Sequence, residues 1–538
     1  MTKPPSTIGV AGAGTMGAGI AQLGCQSGAR TVLYDPDPEA LRRGAERIVA
    51  ALRRSAERGR LTEDESRRAT ANLQQVTEPI GLAECELVIE AAPESLELKR
   101  ELFTEIARHV SDACVLATNT SSLLVTAVAA PLPHPNRVVG MHFFNPPPVM
   151  ALLEVVSGVE SSPEAVALAR AAGEAMGKHV IDAVDGVGFL VNRCNRPFGL
   201  EGLRLVSERI ATIDQVDRIC RLGGGFRMGP FELMDLVGVD TGLDISRSFY
   251  EQSFGEPRWR PSPITVKTVA AGRYGRKSGR GYYKNPEGGR HRPDDPEPPA
   301  AGGGDGLVVI AGETQLAIEL AQAADAAGWT VVTPGDAEEL DAPFLILDLT
   351  GGEEPEAPLQ GAPQAICLQA GSLAALDPGG SAVGFHALPP LRGSRLVELT
   401  AGPDSAESAV SATERFFGSL GKHPAWVSDA PGLVLGRIVC QVINEAAFAL
   451  GEGVGSRKDI DAGMVHGLNY PRGILAWADA IGLDHVLGVL DALNLEYGEE
   501  RYRASPVLRR LALSGRLGRP TGEGFLSYDD ATSPGIEP

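Results

Sequence analysis

Short apolar runs alternate with longer amphipathic stretches in the first part of the chain. The apolar runs at residues 7–11, 31–34 and 87–89 have the length and composition of buried strands. Residues 20–23 continue a helix after the first run, and a polar helical stretch runs from about residue 38 to residue 72. Strands that alternate with helices build β-α-β units. The pattern therefore predicts an α/β fold with a doubly wound parallel sheet.

A different pattern begins at Gly188. From there to about Phe254, apolar residues recur at i, i+3 and i+4 without a strand-like run, which predicts an all-α domain. Residues 285–306 are rich in Pro, Gly and charged side chains, a composition typical of a flexible linker.

After this linker the chain repeats itself. Residues 11–28 correspond to residues 311–328 at an offset of 300, and later matches have an offset of 244, among them His142 with His386 and Glu154 with Glu398. The chain thus holds two copies of a sheet domain plus a helical domain, the second with a shortened, degenerate sheet domain. The domains that we expect are 1–185 (sheet), 186–284 (helical), 285–306 (linker), 307–427 (degenerate sheet) and 428–530 (second helical).

Composition and charge narrow the class of protein. A chain of 538 residues is too long for one core, and a net charge of −20 argues against a general nucleic-acid-binding surface. No apolar run approaches a membrane span, and the start of the chain lacks the pattern of an export signal. The seven cysteines are scattered without metal-ligand spacing. We expect a cytoplasmic protein with reduced thiols, no metal, and neither nucleic acid nor membrane as partner.

A glycine-rich loop joins the first strand to the first helix. It has the pattern G-x-G-x-x-G, formed by Gly12, Gly14, Thr15, Met16 and Gly17 around Ala13. In this context the loop predicts a Rossmann domain with a pyrophosphate at the helix N-terminus. Asp35 ends the next strand, where a carboxylate binds the ribose hydroxyls and repels a 2′-phosphate, so NAD is the expected cofactor. The alternative is a glycine turn used only for packing. In the second copy Thr314, Ala317 and Gly335 replace Gly14, Gly17 and Asp35, so we expect no NAD there.

Four polar features lie between the sheet and the helical domain. They are residues 119–122 (NTSS), His142, Glu154 and Asn192. Oxidation of an alcohol by NAD needs a base for the hydroxyl proton, and a neutral histidine suits that role near pH 7. A carboxylate behind the histidine fixes its tautomer and stabilises the imidazolium. Glu154 stands alone in an apolar strand, where a carboxylate is out of place unless it is paired.

Together these features and several flanking segments resemble the 3-hydroxyacyl-CoA dehydrogenase family. The matching segments are AAPESLELK at 91–99, NTSSL at 119–123, HFFNPPPVMALLEVV at 142–156, GFLVNR at 188–193, GPFELMDLVGVDT at 229–241 and GRKSGRGYY at 275–283. The likeness covers residues 6–284 and, more loosely, 307–528. It implies a Rossmann domain plus a helical domain with the active site in the cleft between them, and an acyl-CoA thioester as the substrate.

The resemblance also assigns roles to single residues. It implies that His142 is the base and Glu154 its partner, that Ser121 hydrogen-bonds the reacting oxygen, and that Asn192 holds the substrate near the nicotinamide. Glu94, Lys99 and Asn119 match positions associated with the cofactor. Three alternatives stay open: Ser121 as a helix N-cap, Asn192 as a cap or hinge residue, and Lys99 as an ordinary solvated lysine.

A basic patch lies on a presumed pair of helices after the second strand. It comprises Arg42, Arg43, Arg47, Arg53, Arg54, Arg58 and Arg60. In the family this region approaches the CoA nucleotide, so the resemblance implies guanidinium–phosphate pairing, with Arg53, Arg54 and Arg58 as candidates. The alternative is a solvated helix face with Glu–Arg pairs.

The second copy keeps His386 and Glu398 but has Gly436 where the first copy has Asn192. Without a nucleotide loop this half is expected to be structural. In shorter relatives the helical domains pair between subunits, so the second copy can supply that partner within one chain, as a pseudo-dimer; a homo-oligomer is the other possibility.

The expected reaction is the NAD-dependent oxidation of an (S)-3-hydroxyacyl-CoA. The duplicated layout is similar to bacterial members that include a phenylacetate-degradation branch acting on 3-hydroxyadipyl-CoA, and 3-hydroxybutyryl-CoA is equally admissible. A dicarboxylyl substrate needs an extra cation, for which Arg227 is a candidate. Two other functions stay open: oxidation of a free hydroxy acid of the carnitine or gulonate type, and a non-catalytic nucleotide-binding scaffold.

Overall fold

The computed structural model describes residues 2–286, 291, 293–337, 342–351 and 362–528. The expected linker at 285–306 therefore lies partly outside the described residues. Within it, Asp295 is bound by Arg221, whose Nε and Nη2 donate to the carboxylate at 3.0 and 2.6 Å.

Eight strands form the first sheet, in the order β3-β2-β1-β4-β5-β6-β7-β8. Their bounds are β1 Thr7–Ala11, β2 Arg30–Tyr34, β3 Leu73–Val76, β4 Leu87–Glu90, β5 Val115–Thr118, β6 Val138–Phe143, β7 Leu152–Ser157 and β8 His179–Val184. The first six strands pair in parallel, and β7 runs antiparallel to β6 and parallel to β8. The doubly wound sheet is confirmed, with a reversed pair of strands at one edge.

Six helices accompany this sheet: α1 Thr15–Gln26, α2 Pro38–Glu57, α3 Glu63–Ala71, α4 Leu96–Ala107, α5 Val125–Ala129 and α6 Pro163–Ala175. The helical stretch expected from about residue 38 to residue 72 is present as a pair of helices, α2 and α3. Gly59 adopts a positive φ of 68° after α2, and Thr62 then begins α3 in a capping box with Glu65.

The all-α expectation beyond Gly188 is confirmed. Five helices follow the sheet: α7 Val191–Ser207, α8 Ile213–Leu222, α9 Pro230–Val237, α10 Val239–Gln252 and α11 Pro263–Ala270. Asp235 organises the hairpin after α11, because its carboxylate accepts hydrogen bonds from the N–H groups of Tyr282 and Tyr283 at 2.8 and 3.0 Å.

A second sheet of seven strands repeats the first one without a counterpart of β3, in the order β10-β9-β11-β12-β13-β14-β15. Its strands are β9 Leu307–Ala311, β10 Thr330–Val332, β11 Leu345–Asp348, β12 Gln364–Cys367, β13 Val383–His386, β14 Leu396–Ala401 and β15 His423–Trp426. Its helices are α12 Gln315–Ala327, α13 Pro334–Ala337, α14 Leu373–Leu376 and α15 Glu407–Ser419. The shortened second sheet predicted from the repeat is therefore present.

The second helical region follows as α16 Leu435–Gly451, α17 Arg457–Leu468, α18 Ile474–Ile481, α19 Leu483–Tyr497 and α20 Pro506–Leu513. Asp479 repeats the role of Asp235, since it accepts hydrogen bonds from the N–H groups of Phe525 and Leu526, both at 2.8 Å. Within the described residues, none of the helices combines the length and apolar character needed to cross a bilayer.

The chain forms two compact units that do not follow the order of the repeat. The first unit holds the residues up to Arg193 together with Glu452–Leu468, so it contains the first sheet and α17. The second unit holds Cys194–Gly451 and the residues from Asn469 onward, so it contains the second sheet and most of both helical regions. The domain boundaries expected above remain predictions.

Candidate active site

His142 and Glu154 face each other across the two antiparallel strands of the first sheet. His142 lies on β6 and Glu154 on β7, directly opposite in the strand register. Nδ1 of His142 lies 2.6 Å from Oε2 of Glu154, a hydrogen-bond distance. The carboxylate is fully buried and the imidazole is 6% exposed. Because Nδ1 is taken by Glu154, Nε2 is the ring nitrogen that can receive a proton from a bound hydroxyl.

The second carboxylate oxygen of Glu154 is held by the start of α7. The N–H groups of Leu190 and Val191 donate to Oε1 at 3.2 and 2.9 Å. These two donors satisfy the buried carboxylate oxygen. The His142 ring is also flanked by Phe144 and Phe189, at centroid distances of 4.7 and 5.7 Å. The pair is thus fixed in position on an apolar background.

Glu94 organises the loop that contains Ser121. One of its oxygens accepts hydrogen bonds from the hydroxyls of Thr120 and Ser122 at 2.6 and 2.8 Å and from the N–H of Ser121 at 3.1 Å. Although burial raises the pKa of Glu94, the charge of Lys99 and these hydrogen bonds lower it below its ordinary value. Ser121 is exposed, and the helix that follows is capped by Leu124, so the N-cap alternative for Ser121 is wrong.

Lys99 is almost completely buried, at 1% exposed, so the solvated-lysine alternative is wrong. Its Nζ lies 2.7 Å from Oε1 of Glu90 and 3.3 Å from Oε2 of Glu94. Glu90 is also bound by the hydroxyl of Thr118 at 2.7 Å. Sequence reasoning missed Glu90, although a lone carboxylate in an apolar strand was the signal that pointed to Glu154. Lys99 joins the end of β4 to the loop held by Glu94.

Along the chain, Asn119 precedes the histidine–glutamate pair and Asn192 follows it. Oδ1 of Asn119 accepts a hydrogen bond from the N–H of Phe143 at 2.8 Å, which ties the end of β5 to the residue after His142. Asn192 is the second residue of α7 and is partly buried. It directly follows Val191, whose N–H binds Glu154, so the sequence keeps it near the pair.

The glycine loop fits a dinucleotide. Gly12 adopts a φ of 110°, and a β-carbon there would lie 2.7 Å from the carbonyl oxygen of Ala91. A β-carbon on Gly17 would overlap the carbonyl oxygen of Gly12. At Gly14, by contrast, no described atom lies within 4 Å of such a carbon. The outer glycines thus serve the turn and the packing, whereas Gly14 leaves open the space that a pyrophosphate needs.

Asp35 lies beside this loop, as expected. Its Oδ2 accepts a hydrogen bond from the N–H of Ala13 at 2.8 Å, and its Oδ1 accepts one from the N–H of Asp37 at 3.0 Å. Of the loop residues, Thr15 is exposed and Met16 packs against the sheet core. The first helix has no side-chain cap at Gly14, so its first N–H groups remain available to an anion.

The basic patch lies on α2 and the turn that follows it. Arg53 and Glu57 are 3.3 Å apart and are both exposed, and Arg42 pairs with Glu39 and Glu46 on the same helix. Such exposed pairs contribute little stability. The structure therefore shows the Glu–Arg pairs of the solvated-face alternative, and it leaves Arg53, Arg54 and Arg58 on the surface.

Comparison with known proteins identifies the family. The model for the NAD-binding domain of 3-hydroxyacyl-CoA dehydrogenase matches residues 7–186, and the model for the C-terminal domain matches residues 188–285 and 432–528. The chain belongs to the 3-hydroxyacyl-CoA dehydrogenase family. As a member of this family it is an NAD-dependent oxidoreductase, and NAD is the cofactor of its first sheet domain.

Two curated members and one solved structure illustrate the likeness. The chain is 35% identical to 3-hydroxyadipyl-CoA dehydrogenase of Escherichia coli over 94% of this chain and 97% of that protein. It is 40% identical to a 3-hydroxybutyryl-CoA dehydrogenase of Mycobacterium tuberculosis over 53% of this chain and 99% of that protein. A crystal structure titled 3-hydroxybutyryl-CoA dehydrogenase from Escherichia coli matches with a TM-score of 0.79 at 34% identity, over 96% of this chain and 100% of that one.

The second copy of this dehydrogenase keeps the histidine and the glutamate but not their hydrogen bond. His386 and Glu398 are again opposite in the strand register. Nε2 of His386 instead lies 3.0 Å from Nε2 of His485, and Nδ1 has no partner within the described part of the chain. Gly436 lies on α16, and a β-carbon there would overlap the ring of His386. The absence of a side chain at Gly436 therefore leaves space for that ring.

The electrostatics of the second pair follow from this rearrangement. Glu398 accepts hydrogen bonds from the N–H groups of Val434 and Leu435, but burial raises its pKa to about 8. Burial, together with His485, lowers the pKa of His386 well below its ordinary value. The buried ring and the buried carboxyl are therefore both favoured in their neutral forms.

The nucleotide loop of the second copy has also changed. Thr314 caps α12 with its own hydroxyl, which accepts a hydrogen bond from the N–H of Ala317 at 3.2 Å. The helix end that would receive a pyrophosphate is thus occupied by a side chain of the protein. That the second sheet does not bind NAD stays a prediction.

Several polar contacts are the same in both copies. Nζ of Lys178 donates to the carbonyl oxygens of Pro147 and Met150, and Nζ of Lys422 donates to those of Leu391 and Ser394. Burial lowers the pKa of Lys178 to about 8 and lowers that of Lys422 in the same direction. Because this contact is present in the copy that lacks the nucleotide loop, it serves the fold of the loop after β6 or β13.

Helix α17 packs against the first sheet within the first compact unit. A β-carbon on Gly467 would lie 2.6 Å from the side chain of Leu152 and 3.6 Å from that of Phe144. A β-carbon on Gly463 would lie 2.7 Å from Val191. A segment of the second copy therefore contacts residues that flank both His142 and the donors to Glu154. Sequence reasoning missed this contribution.

Proposed function

We propose that this chain oxidises the 3-hydroxyl group of an (S)-3-hydroxyacyl-CoA to the 3-oxo group, with NAD⁺ as hydride acceptor. The observation that carries the proposal is the 2.6 Å contact between Nδ1 of His142 and Glu154, on the sheet whose first helix begins at an open glycine loop. Relatives named for hydroxyacyl-CoA substrates support this choice of substrate.

The residues of this chain then have distinct roles. His142 removes the hydroxyl proton through Nε2 as the hydride leaves C3, and Glu154 stabilises the imidazolium. Ser121 hydrogen-bonds the reacting oxygen, and Asn192 holds the substrate. Bound NAD supplies the hydride acceptor. A positioned base of this kind contributes about 10²–10⁴-fold in rate.

The remaining cofactor and substrate contacts are also proposals. Gly12, Gly14, Thr15, Met16 and Gly17 would hold the pyrophosphate, and Asp35 would hold the adenosine ribose. Glu94, Lys99 and Asn119 would shape the nicotinamide end, since they fix the loop after β5 and the end of β6. Arg53, Arg54 and Arg58 are the candidates for pairing with the phosphates of CoA.

We further propose that the two helical regions form a pseudo-dimer within one chain. In the second compact unit, Arg437 of α16 is fully buried and donates to Glu201 of α7 at 2.9 Å and to Glu208, just after that helix, at 2.6 Å. Arg258 and Glu445 form a second pair at 3.2 Å between the same regions. We place the protein in the cytoplasm, where its seven buried thiols would stay reduced.

The test follows NADH absorbance with the purified chain. (S)-3-hydroxybutyryl-CoA should be oxidised, whereas carnitine and gulonate should not be. Turnover of a free acid but of no CoA thioester would favour the alternative dehydrogenase, and NADH binding without any turnover would favour the scaffold. An alkaline shift should favour oxidation and a lower pH should favour reduction of the 3-oxo thioester, because oxidation releases a proton.

A further inference from the structure

Two carboxylates share one lysine at the edge of the first sheet. Glu90 and Lys99 are buried, at 0% and 1% exposure, and Nζ of Lys99 lies 2.7 Å from Oε1 of Glu90. The same Nζ lies 3.3 Å from Oε2 of Glu94, whose side chain is 37% exposed. These three side chains form the Glu–Lys–Glu triad. Two carboxylates face one ammonium group in it, so one negative charge is left uncompensated within the triad.

Hydrogen bonds hold both carboxylates of the triad in place. Oε1 of Glu90 accepts a hydrogen bond from the N–H of Ala92 at 2.6 Å, and Oε2 accepts one from the hydroxyl of Thr118 at 2.7 Å. Burial raises the pKa of Glu94, but the charge of Lys99 and its hydrogen bonds lower it by more than burial raises it. The triad is therefore a fixed charge, unlike an ion pair between two mobile surface side chains.

The triad lies at the edge of the sheet that carries the nucleotide loop. Glu90 ends β4 and pairs in register with Ala11, which ends β1 directly before Gly12. The order of the sheet reverses between β1 and β4. In doubly wound sheets, ligands bind beyond the carboxyl ends of the strands at such a point. The charge of the triad is therefore on the cofactor side of the sheet.

The triad also contacts the residues proposed to flank the reaction. Glu94 accepts a hydrogen bond at 3.1 Å from the N–H of Ser121, the residue proposed to bind the reacting oxygen. Glu90 is bound by Thr118, which directly precedes Asn119. Asn119 in turn accepts a hydrogen bond from the N–H of the residue that follows the proposed base. The uncompensated charge thus lies next to the loop that is proposed to shape the nicotinamide end of the site.

The second copy has no lysine at the corresponding place. Strand β11 ends at Asp348, in the register position that Glu90 has in β4. Asp348 accepts hydrogen bonds from the N–H and the hydroxyl of Thr350, at 2.9 and 2.7 Å. Its neighbour on β12 is the apolar Ile366, and residues 349–363 contain no lysine. The lysine thus occurs only in the copy that keeps the nucleotide loop, as expected of a residue that serves the cofactor.

We propose that the uncompensated negative charge of the Glu–Lys–Glu triad raises the affinity of the first nucleotide site for NAD⁺ relative to NADH. This rests on the function proposed above, because it takes the nicotinamide to lie beside the loop of Ser121. The nicotinamide ring of NAD⁺ carries a positive charge that the ring of NADH lacks, so a fixed negative charge favours the oxidised form. Since this attraction is lost once the hydride has been transferred, the triad promotes the exchange of NADH for NAD⁺.

The experiment measures the dissociation constants of NAD⁺ and NADH separately, by isothermal titration calorimetry on the full chain without acyl-CoA. Glu90→Gln removes the uncompensated charge. It should shift the ratio of the two constants about tenfold in favour of NADH, the size expected for one unit charge acting across a partly buried site. Lys99→Met makes the triad more negative and should shift the ratio in the opposite direction.

Two further variants complete the series. Glu94→Gln removes the same charge from the exposed side of the triad and keeps an oxygen that can accept the hydrogen bond of Ser121. It should shift the ratio in the direction of Glu90→Gln but by less, and it tests the proposal even if Glu90→Gln does not fold. Glu97→Gln is the matched control, because it removes an exposed carboxylate from the same helix and should leave the ratio unchanged.

Three results would overturn the proposal. Equal changes in both dissociation constants would mean that the triad only fixes the loop after β5. Shifts of the same sign in Glu90→Gln and Lys99→Met would contradict an effect of charge. A shift in Glu97→Gln as large as that in Glu90→Gln would assign the effect to the general charge of the surface. Failure of the proposed function is distinct, since the wild-type chain would then oxidise no hydroxyacyl-CoA while the ratio of the two constants could still be measured.

Discussion

The two copies carry the same histidine and glutamate in the same strand register, yet only one pair forms a hydrogen bond. His142 contacts Glu154 at 2.6 Å, whereas His386 contacts His485 instead. The difference lies on the helix that follows, where Asn192 is replaced by Gly436 and the ring of His386 moves into the vacated space. The same two residue types in the same register therefore do not always form a hydrogen-bonded pair. The neighbouring helix decides whether the imidazole faces its carboxylate.

The largest expected difference between the copies is in turnover. His142→Ala should lower kcat by about 10²–10⁴-fold because the proton acceptor is lost. His386→Ala should leave kcat within about twofold, since the second copy lacks a nucleotide loop. Steady-state kinetics with NADH detection would measure both. Comparable losses in the two variants would mean that the second site takes part in the reaction.

The second largest expected difference is in NADH binding, when a tryptophan is placed in the loop of each copy. Gly14 has a φ of −65°, which any residue adopts, and open space around it, so Gly14→Trp should fold. It should weaken NADH binding about 100-fold, or about 2.7 kcal/mol, because the indole fills the pyrophosphate space. The matched variant Thr314→Trp should leave binding unchanged. Isothermal titration calorimetry would measure the NADH affinity of both variants. Substantial NAD-dependent turnover in Gly14→Trp would contradict the prediction and show that the second half is active.

Helix α17 offers a test of how the second copy supports the first. Gly467→Ala should destabilise the protein by about 2 kcal/mol and lower kcat, because the new methyl group overpacks against Leu152. Gly418→Ala on α15 is the control: no described atom lies within 4 Å of its β-carbon, so it should stabilise that helix slightly. Thermal unfolding and kcat would be measured for both variants. If Gly467→Ala kept the stability and kcat of the wild type, α17 would not support the first site.

The smallest expected effect concerns pH. Glu398 holds its proton in the folded state up to about pH 8, whereas the unfolded chain releases it near its ordinary pKa of 4.5. Between these values the unfolded state binds fewer protons, so the wild type loses stability as pH rises, by at most about 1.4 kcal/mol per pH unit. Glu398→Gln should lack this contribution. Between pH 5.5 and pH 6.5 the denaturation midpoint should therefore fall more in the wild type than in Glu398→Gln. An equal change in the two proteins would contradict a neutral Glu398 carboxyl.

Much of the fold and of the first site could be predicted because the relevant signals are local in the chain. Apolar runs indicated the strands, the glycine spacing indicated the nucleotide loop, and a lone carboxylate in an apolar strand pointed to Glu154. Glu90 carried the same signal as Glu154 but was not recognised as the partner of Lys99, since that pairing joins a strand to a later helix.

By itself the sequence determined the duplicated architecture, the glycine-rich loop and the pairing of His142 with Glu154, because each is encoded in residue types at fixed spacings. Only the tertiary structure decided that His386 turns to His485 and that α17 packs beside the first site. Each of these depends on which distant side chains share a buried space, and burial sets the energy of a charge or a hydrogen bond. The spacing of residues along the chain does not show which distant side chains are buried together.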